Sequence, residues 1–408
     1  MTTALPPESS PRYPGWRVVL VCFVMAMLCW GFGFYGHGFY LAELRRLHGW
    51  PAALTASAST AYYLFSALLV ALISDAIRRL GVRACVLVGA FALAGSSASL
   101  PFVREPWHLF AAYFVMAFAW ATMSIGAITN ILGLWFDAKR GLAISLALNG
   151  ASFGGVVIVP FLVFLAGATD FTTAMLTGAV LILLVLLPLA LRVLGPPAPY
   201  HLPIALSARD GDITGAHAAA PPWTRRAALR SAPFRTVTAF AAIGIFSQAA
   251  FLVHQIAFLE PMIGRYPAGI AVAVTTAMAI VGRLVLGSVA DRINQRLAAA
   301  ISLVSQAAAL LVMTQTTDLS ALLAASAVYG FSVGNLITFP SLIIQREFPA
   351  AAFGLLIGLS TAISQFTYAF GPALLGFVRD ATGGYGAALA ICIALNLAAA
   401  VIVMARPR

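Results

Sequence analysis

The chain has 408 residues, of which 61% are hydrophobic and 9% charged, and its mean hydropathy is +0.95. Soluble domains carry about a quarter charged residues, so this composition excludes an ordinary soluble protein and favours a polytopic membrane protein. Lys and Arg number 24 against 13 Asp and Glu, which gives a formal net charge of +11. Because the basic residues lie in short segments between apolar runs, they indicate membrane topology and not nucleic-acid binding.

The N-terminal segment, "MTTALPPESSPRYPGW", lacks the basic region, apolar core and cleavage site of a signal peptide, so we expect the first apolar run to remain as a transmembrane helix. A helix needs about 20 apolar residues to cross the hydrocarbon layer. Apolar runs of that length predict about twelve spans, at 16–40, 52–76, 83–103, 107–136, 140–167, 171–194, 234–259, 268–290, 297–316, 319–345, 351–378 and 383–405. An even number of spans places both chain ends on one side of the membrane.

The distribution of positive charge orients these spans. Most basic residues fall on the side of the chain ends, and the exceptions are Arg45, Arg46, Arg104, Arg265, Arg379 and the intramembrane Arg283. Basic loops stay in the cytoplasm, so the tails 1–15 and 406–408 are predicted to be cytoplasmic. We expect a monomeric multi-pass protein in a cell membrane, specifically a bacterial inner membrane, with the lipid bilayer as a partner.

The chain shows signs of an internal duplication. A Pro-, Ala- and Arg-rich linker, 195–233, separates two predicted six-helix bundles, 16–194 and 234–405. Asp75 in "ALISDAIRRLGVR" and Asp291 in "GSVADRINQR" are 216 residues apart, and the glycines that begin "GLAISLALNG" and "GLLIGLSTAI" are 213 apart. Because an even number of spans separates the copies, the repeats are parallel. This arrangement predicts an all-α integral membrane protein, a rocking-type transporter with a central site.

These features resemble the major facilitator superfamily, whose loop motif has the form G-x-x-x-D-R-x-G-x-R. Gly287, Asp291, Arg292 and Arg296 match it, and Asn294 replaces the second glycine. The first-half copy keeps Asp75 but has no leading glycine. The resemblance covers essentially the whole chain and implies the two-bundle fold of that superfamily.

The charges in this loop motif and its first-half copy suggest a cytoplasmic gate. An aspartate at a helix end, held against an arginine and the next helix N-terminus, can form a latch that breaks during rocking. The candidate gate residues are Asp75, Arg79, Asp291 and Arg292. The alternative is that these charges only fix topology.

Within the superfamily the nearer resemblance is to monocarboxylate transporters and their bacterial relatives. It rests on "GWPAALTASAS" before and in the second span, "WFDAKRGLAISLALNGASFGG" between the fourth and fifth, "GRLVLGSVAD" in the eighth and "FGPALLGFVRDATGGY" in the eleventh. The resemblance implies secondary active transport of small organic anions, with monocarboxylate:proton symport by alternating access.

Arg283, inside the apolar run 268–290, is the candidate for binding the substrate. An ionisable residue within a span is costly and marks a substrate path. In the resembled family an arginine here, followed by glycine four residues later as in Arg283 and Gly287, binds the substrate carboxylate, which suits its planar fork. The alternative is a structural arginine whose side chain extends to water.

His254, in the seventh span, is the candidate proton carrier and substrate contact. Members of human type have an aspartate one turn before the arginine, but this chain has Ala279 there. Histidine titrates near physiological pH, and bacterial relatives often carry one in this part of the span. The alternative is a neutral histidine hydrogen-bonded between helices. His37, in the first span, is expected near the outer vestibule or the membrane interface.

Further polar residues within the spans are candidates to line a substrate cavity or to bond neighbouring helices: Asn149, Asn335, Gln365 and Tyr368. Rival functions are a proton-driven exporter of drugs or other small molecules and a carrier of larger organic anions. The fifth span has Pro160 without the preceding glycine typical of such exporters. No metal-spaced cluster and no phosphate-binding loop occurs, so we expect no enzyme activity, no cofactor and no metal.

Overall fold

The computed structural model describes residues 6–136, 139–195, 224–289, 292–349 and 352–405. All regular secondary structure in these ranges is helical. The expectations for the extreme N-terminus, for most of the linker, at 196–223, and for the tail 406–408 concern residues outside this description.

Twelve helical stretches follow the predicted spans in order. They are α1 Gly15–His48, α2 Ala52–Val70, α3 Val82–Phe102, α4 Pro106–Gly133, α5 Leu142–Ala168, α6 Phe171–Val193, α7 Ala232–Ile263, α8 Arg265–Leu286, α9 Gln295–Gln315, α10 Leu319–Glu347, α11 as two helices Phe353–Ala369 and Gly371–Thr382, and α12 Gly386–Met404. All except the two pieces of α11 are long and apolar enough to cross a membrane, which makes 11 such helices in the described part of the chain. Short helices Ile73–Leu80 and Arg225–Arg230 precede α3 and α7.

Three helices differ from the sequence expectation in ways that affect the site. α1 continues to His48, so Glu43, which was expected in a loop, lies on a helix and is 1% exposed. α7 likewise continues to Ile263. α11 is interrupted at Phe370, before Gly371 and Pro372, because a proline cannot supply the backbone N–H that a continuous helix needs.

The two halves, α1–α6 and α7–α12, repeat one packing pattern. In each half the first helix packs on the fifth, the second on the fourth and the third on the sixth. Helices six positions apart in the chain therefore occupy equivalent places, as a parallel duplication predicts. Across the halves, α1 contacts α7, α2 contacts α11, and α5 contacts α8.

Glycines spaced four apart bring neighbouring helices into backbone contact. On α5, a Cβ at Gly150 or Gly154 would overlap the carbonyl oxygen of Phe23 or Met27 of α1. On α10, Gly330 and Gly334 meet α8 backbone carbonyls in the same way. In lipid, van der Waals packing of small residues drives helix association, so these contacts fix α1 on α5 and α8 on α10.

The close contact of α5 with α1 gives a test of the fold. We expect Gly150→Ala to destabilise the protein by about 1–3 kcal/mol, because the added methyl group forces the helices apart. Gly167→Ala, on the same helix with open space around its Cβ, is the matched control. Thermal unfolding in detergent measures both variants. Equal melting temperatures for the two variants would contradict this packing.

Candidate functional site

A cavity of about 250 Å³ lies between the two halves near the middle of the helices. Its first-half wall is aromatic, with Trp30, Phe34 and Tyr35 of α1 and Trp120 of α4, and Tyr368 of α11 closes it from the second half. Tyr368 packs edge-on against Tyr63 of α2, with ring centroids 5.6 Å apart. The cavity therefore lies where the halves would move relative to each other.

Two π-helical turns lie beside this cavity, and the one in α1 contributes Phe34 and Tyr35 to its wall. Gly31–Tyr35 interrupts α1 and Gly154–Ile158 interrupts α5, and the two turns face each other, because Gly31 lies directly against Ile158. A π turn adds a residue to the helical repeat and is frequent at functional sites. The turn in α1 carries Tyr35 at its end, and the turn in α5 begins just after Ser152.

Arg283 is half-buried on α8 and reaches across the interface between the halves. Its guanidinium donates a hydrogen bond to the Ser152 hydroxyl of α5, and its Nε donates to the Ala279 carbonyl at 3.3 Å. The Tyr35 phenol lies next to Ser152 and interacts electrostatically with Arg283. Because Tyr35 lines the cavity, these contacts connect Arg283 to the cavity wall.

Arg283 forms no ion pair with the residues that the structure describes. Its partners are a hydroxyl, a carbonyl and a phenol, all formally neutral. A buried charge is costly unless it is paired, and the cost persists in the membrane, where the alternative partner is hydrocarbon. The arrangement therefore offers a cationic fork that an anion would stabilise.

His254 is fully buried but contacts different helices from Arg283. Its Nε2 lies 2.9 Å from the Pro372 carbonyl in α11, and its Nδ1 lies 3.0 Å from the Tyr385 hydroxyl before α12. A carbonyl only accepts, so Nε2 carries a hydrogen, and in the neutral ring Nδ1 accepts from Tyr385. The break in α11 places Pro372 at this position. These contacts bring His254 to the α11–α12 side and not to the cavity wall.

The other polar candidates divide into two groups. Gln365 and Tyr368 line the cavity from α11. Asn149 is half-buried on α5 one turn before Ser152, and Asn335 is buried on α10 beside the close contact of Gly334 with Ala279. Neither of these two residues lines the cavity.

His37 is not at a vestibule or an interface, as the sequence suggested, but fully buried within the first half. Its ring stacks on Tyr113 at 4.6 Å and meets Tyr62 edge-on at 4.7 Å. The error arose because a histidine near a helix end was assumed to face water, whereas α1 continues for more than two turns beyond it.

The halves are latched together at the face opposite the chain ends. Glu43 of α1 forms ion pairs with Arg46 of the same helix and with Arg265 of α8. In a second contact, the Asp380 carboxylate of α11 accepts from the Ala53 backbone N–H of α2 at 2.7 Å. Sequence reasoning indicated neither contact, because Glu43 lies outside the predicted spans 16–40 and 52–76 and both contacts join residues that are far apart in the chain.

At the face of the chain ends, charged side chains form contacts within each half. In the first half, Arg83 donates to the Leu194 carbonyl at 2.6 Å and Glu8 accepts from the Lys139 backbone N–H at 2.8 Å. Arg296, the last arginine of the loop motif, is 3% exposed and forms a two-pronged pair with Glu347 at 2.6 and 2.7 Å. Of the predicted gate, Arg79 and Arg292 are exposed, whereas the Asp75 side chain and Asp291 lie outside the described residues. The gate therefore stays a prediction. The pairing of Arg296 with Glu347 could not be predicted from the loop motif alone.

Two similar helical bundles with an interfacial cavity, one cationic side chain and a latched face define a polytopic transporter fold. The family model described as Major Facilitator Superfamily matches residues 19–264 and again 256–408. The chain belongs to the major facilitator superfamily.

Similar proteins narrow the resemblance to one branch of the superfamily. Monocarboxylate transporter 11 of Mus musculus is 27% identical over 347 residues, 81% of this chain and 73% of the relative. The Homo sapiens protein of the same name is 28% identical over 351 residues, 81% and 70%. Monocarboxylate transporter 13 of Rattus norvegicus is 24% identical over 409 residues, 96% and 89%. The resemblance to monocarboxylate transporters found in the sequence is confirmed.

The Glu43–Arg265 pair can be tested as a latch. We expect Glu43→Gln to open this face, because it removes the buried carboxylate that pairs with Arg265 across the two halves. A cysteine at Ala56, which is buried with Leu41 and Val253 between the halves, reports opening by its rate of maleimide labelling. The four native cysteines are buried. We expect labelling to accelerate by about tenfold or more.

The control for this experiment is Glu347→Gln, which breaks an ion pair confined to the second half. It should leave the labelling rate of the cysteine at position 56 unchanged. If both substitutions accelerate labelling equally, Glu43 contributes to general stability and not to a latch.

Proposed function

We propose that this protein is a secondary active transporter of small organic anions, and that Arg283 binds the substrate carboxylate. The supporting observation is the half-buried guanidinium with only neutral described partners, connected through Tyr35 to a cavity between the halves. The relatives named as monocarboxylate transporters support the same class of substrate.

In this proposal the substrate carboxylate replaces the neutral hydrogen-bond partners of Arg283 by a charged partner. It enters the cavity, displaces the Ser152 hydroxyl from the guanidinium and accepts two parallel hydrogen bonds from Arg283. Because Ser152 and Tyr35 belong to the first half and Arg283 to the second, the bound anion would interact with both halves. Neutralising the arginine lowers the cost of burying it, so the halves can close around the substrate.

Alternating access would follow from breaking one set of contacts between the halves and making another. With cytoplasmic chain ends, as the charge distribution predicts, the Glu43–Arg265 and Asp380–Ala53 contacts close the extracellular side. The described conformation then corresponds to a carrier closed to the outside. Asp75, Arg79, Asp291 and Arg292 are proposed to form the opposing cytoplasmic gate.

We propose proton symport, with His254 as the candidate proton carrier. A proton added at Nδ1 would turn this atom from an acceptor into a donor towards Tyr385. It would also place a positive charge near Arg45, Arg379 and Asp380, the charged groups that act on this ring from α1 and α11. Protonation would therefore disturb contacts beside the closed face, which links charge at His254 to rocking.

Uptake into proteoliposomes tests the role of Arg283. We expect Arg283→Gln to reduce uptake of a transported monocarboxylate by at least 100-fold, because the amide supplies neither the charge nor the paired donors. Arg283→Lys should retain a small fraction, since it keeps the charge and loses the fork. Arg192→Gln, at the exposed end of α6, is the charge-matched control. Normal uptake by Arg283→Gln would reject the proposed role.

Two transport modes separate proton coupling from substrate binding at His254. Exchange of internal for external acid needs binding and rocking, whereas accumulation under an imposed pH gradient also needs a proton. We expect His254→Gln to retain exchange and to lose accumulation. His48→Gln, at the end of α1, is the control. Full accumulation by His254→Gln would show that another group carries the proton.

A further inference from the structure

The central cavity has a wall suited to a flat apolar group. Trp30 and Trp120 pack with ring centroids 4.6 Å apart, and Phe34 stacks on Trp120 at 6.3 Å with 28° between the ring planes. All three rings line the cavity. Aromatic rings favour one another in offset-stacked or edge-to-face arrangements beyond the gain from burial alone. A short aliphatic acid would leave most of this surface uncovered.

The remaining walls present hydrogen-bonding atoms that have no described partner. Ser124, Gln248 and Ser364 line the cavity and are at most 4% exposed. Within the described part of the chain, the hydroxyl oxygens of both serines and the Oε1 atom of Gln248 make no hydrogen bond. A buried polar atom without a partner is unfavourable, and the Gln248 oxygen can only accept. A ligand that satisfies it must donate a hydrogen.

The size of the cavity limits the ligand. A volume of about 250 Å³ accommodates a small ligand such as one ring with one or two small polar substituents. Drug-sized ligands occupy pockets of about 300–1,000 Å³, so this cavity lies below their range.

The positions of the polar groups predict how a ligand would be oriented in the cavity. At one part of the wall, Tyr35 lies next to Ser152 of α5 and Arg283 of α8, which do not themselves line the cavity. A carboxylate that reaches Arg283 would leave the cavity beside Tyr35. Gln248 and Ser364 belong to α7 and α11, which are different helices of the second half. A ligand with its carboxylate at Arg283 would therefore direct another group towards α7 and α11.

We propose that the cavity takes a single-ring aromatic monocarboxylate that carries a hydrogen-bond donor such as a hydroxyl group. The ring packs on Trp30, Phe34 and Trp120, the carboxylate pairs with Arg283, and the donor bonds the Gln248 side-chain oxygen. This inference rests on the proposed function for the carboxylate, whereas the ring and the donor depend on separate residues.

Competition against radiolabelled 4-hydroxybenzoate, on the purified full-length protein in lipid nanodiscs, tests the proposal. The competitors are benzoate, which lacks the donor, and lactate, which lacks the ring. We expect benzoate to bind about tenfold more weakly than 4-hydroxybenzoate, and lactate about 100-fold more weakly. Lactate competing as well as the aromatic acids, or no binding of any aromatic acid, would overturn the proposal.

Variants assign each preference to its residue. Gln248→Met keeps the side-chain size and removes the acceptor, so the advantage of 4-hydroxybenzoate over benzoate should disappear. Trp120→Leu should weaken both aromatic acids and leave lactate unchanged. Each result is a ratio measured within one variant, so it does not depend on the amount of folded protein. Ser364→Ala, a milder change, should reduce the hydroxyl advantage in part. Unchanged ratios in Gln248→Met and Trp120→Leu would overturn the assignment.

The same experiment separates this inference from the proposed function. If Arg283→Gln binds both aromatic acids as tightly as the unmodified protein does, carboxylate recognition at Arg283 is wrong, although a ring preference that depends on Trp120 would stand. If Arg283→Gln loses every acid and Trp120→Leu changes nothing, the function stands and the aromatic substrate class is wrong.

Discussion

The cost of keeping the Arg283 guanidinium inside a helical bundle constrains the centre of this protein. The described structure gives it a hydroxyl and a backbone carbonyl as hydrogen-bond partners, and a phenol nearby. Those partners reduce the cost of burial without cancelling the charge. In the proposed function, the free energy that makes an unpaired intramembrane arginine rare is the same free energy that an anion would recover by binding to it.

Holding that arginine beside a hydroxyl of the other half requires close and irregular helix packing. Glycines at 150 and 154 bring α5 onto the α1 backbone, and the facing π turns place Tyr35 and Ser152 near the guanidinium. Gly282 brings α8 equally close to α10, directly before Arg283. The repeated packing of the two halves therefore builds a site that neither half contains alone.

The sequence predicted the spans, the duplication and the family because these depend on composition, span length and repeated motifs. It also identified Arg283, since a lone charge in an apolar run is visible without a structure. It did not predict the roles of Ser152, Tyr35 and Glu347, because their importance depends on which helices meet. It misplaced Glu43 and His37 for a related reason: the end of the apolar run was taken as the end of α1, although the helix continues to His48.

The contacts of His254 show why residue type alone could not decide its role. A histidine in the seventh span suited both proton transfer and a bond between helices. The structure places Pro372 and Tyr385 against its two nitrogens, and the break in α11 that positions Pro372 is not visible in hydropathy. Arg45 interacts with the same Tyr385, so His254 lies close to the face where Glu43 pairs with Arg265. The hydrogen bonds of His254 go to Tyr385 and Pro372 and not to Arg283.

The most direct measurement of carboxylate recognition compares an acid with its neutral amide. Dissociation constants for benzoate and benzamide follow from quenching of tryptophan fluorescence, because Trp30 and Trp120 line the cavity. Pairing with Arg283 predicts that the acid binds at least tenfold more tightly than the amide, and that Arg283→Gln removes the difference. Equal affinity of the acid and the amide for the unmodified protein would contradict a carboxylate site at Arg283.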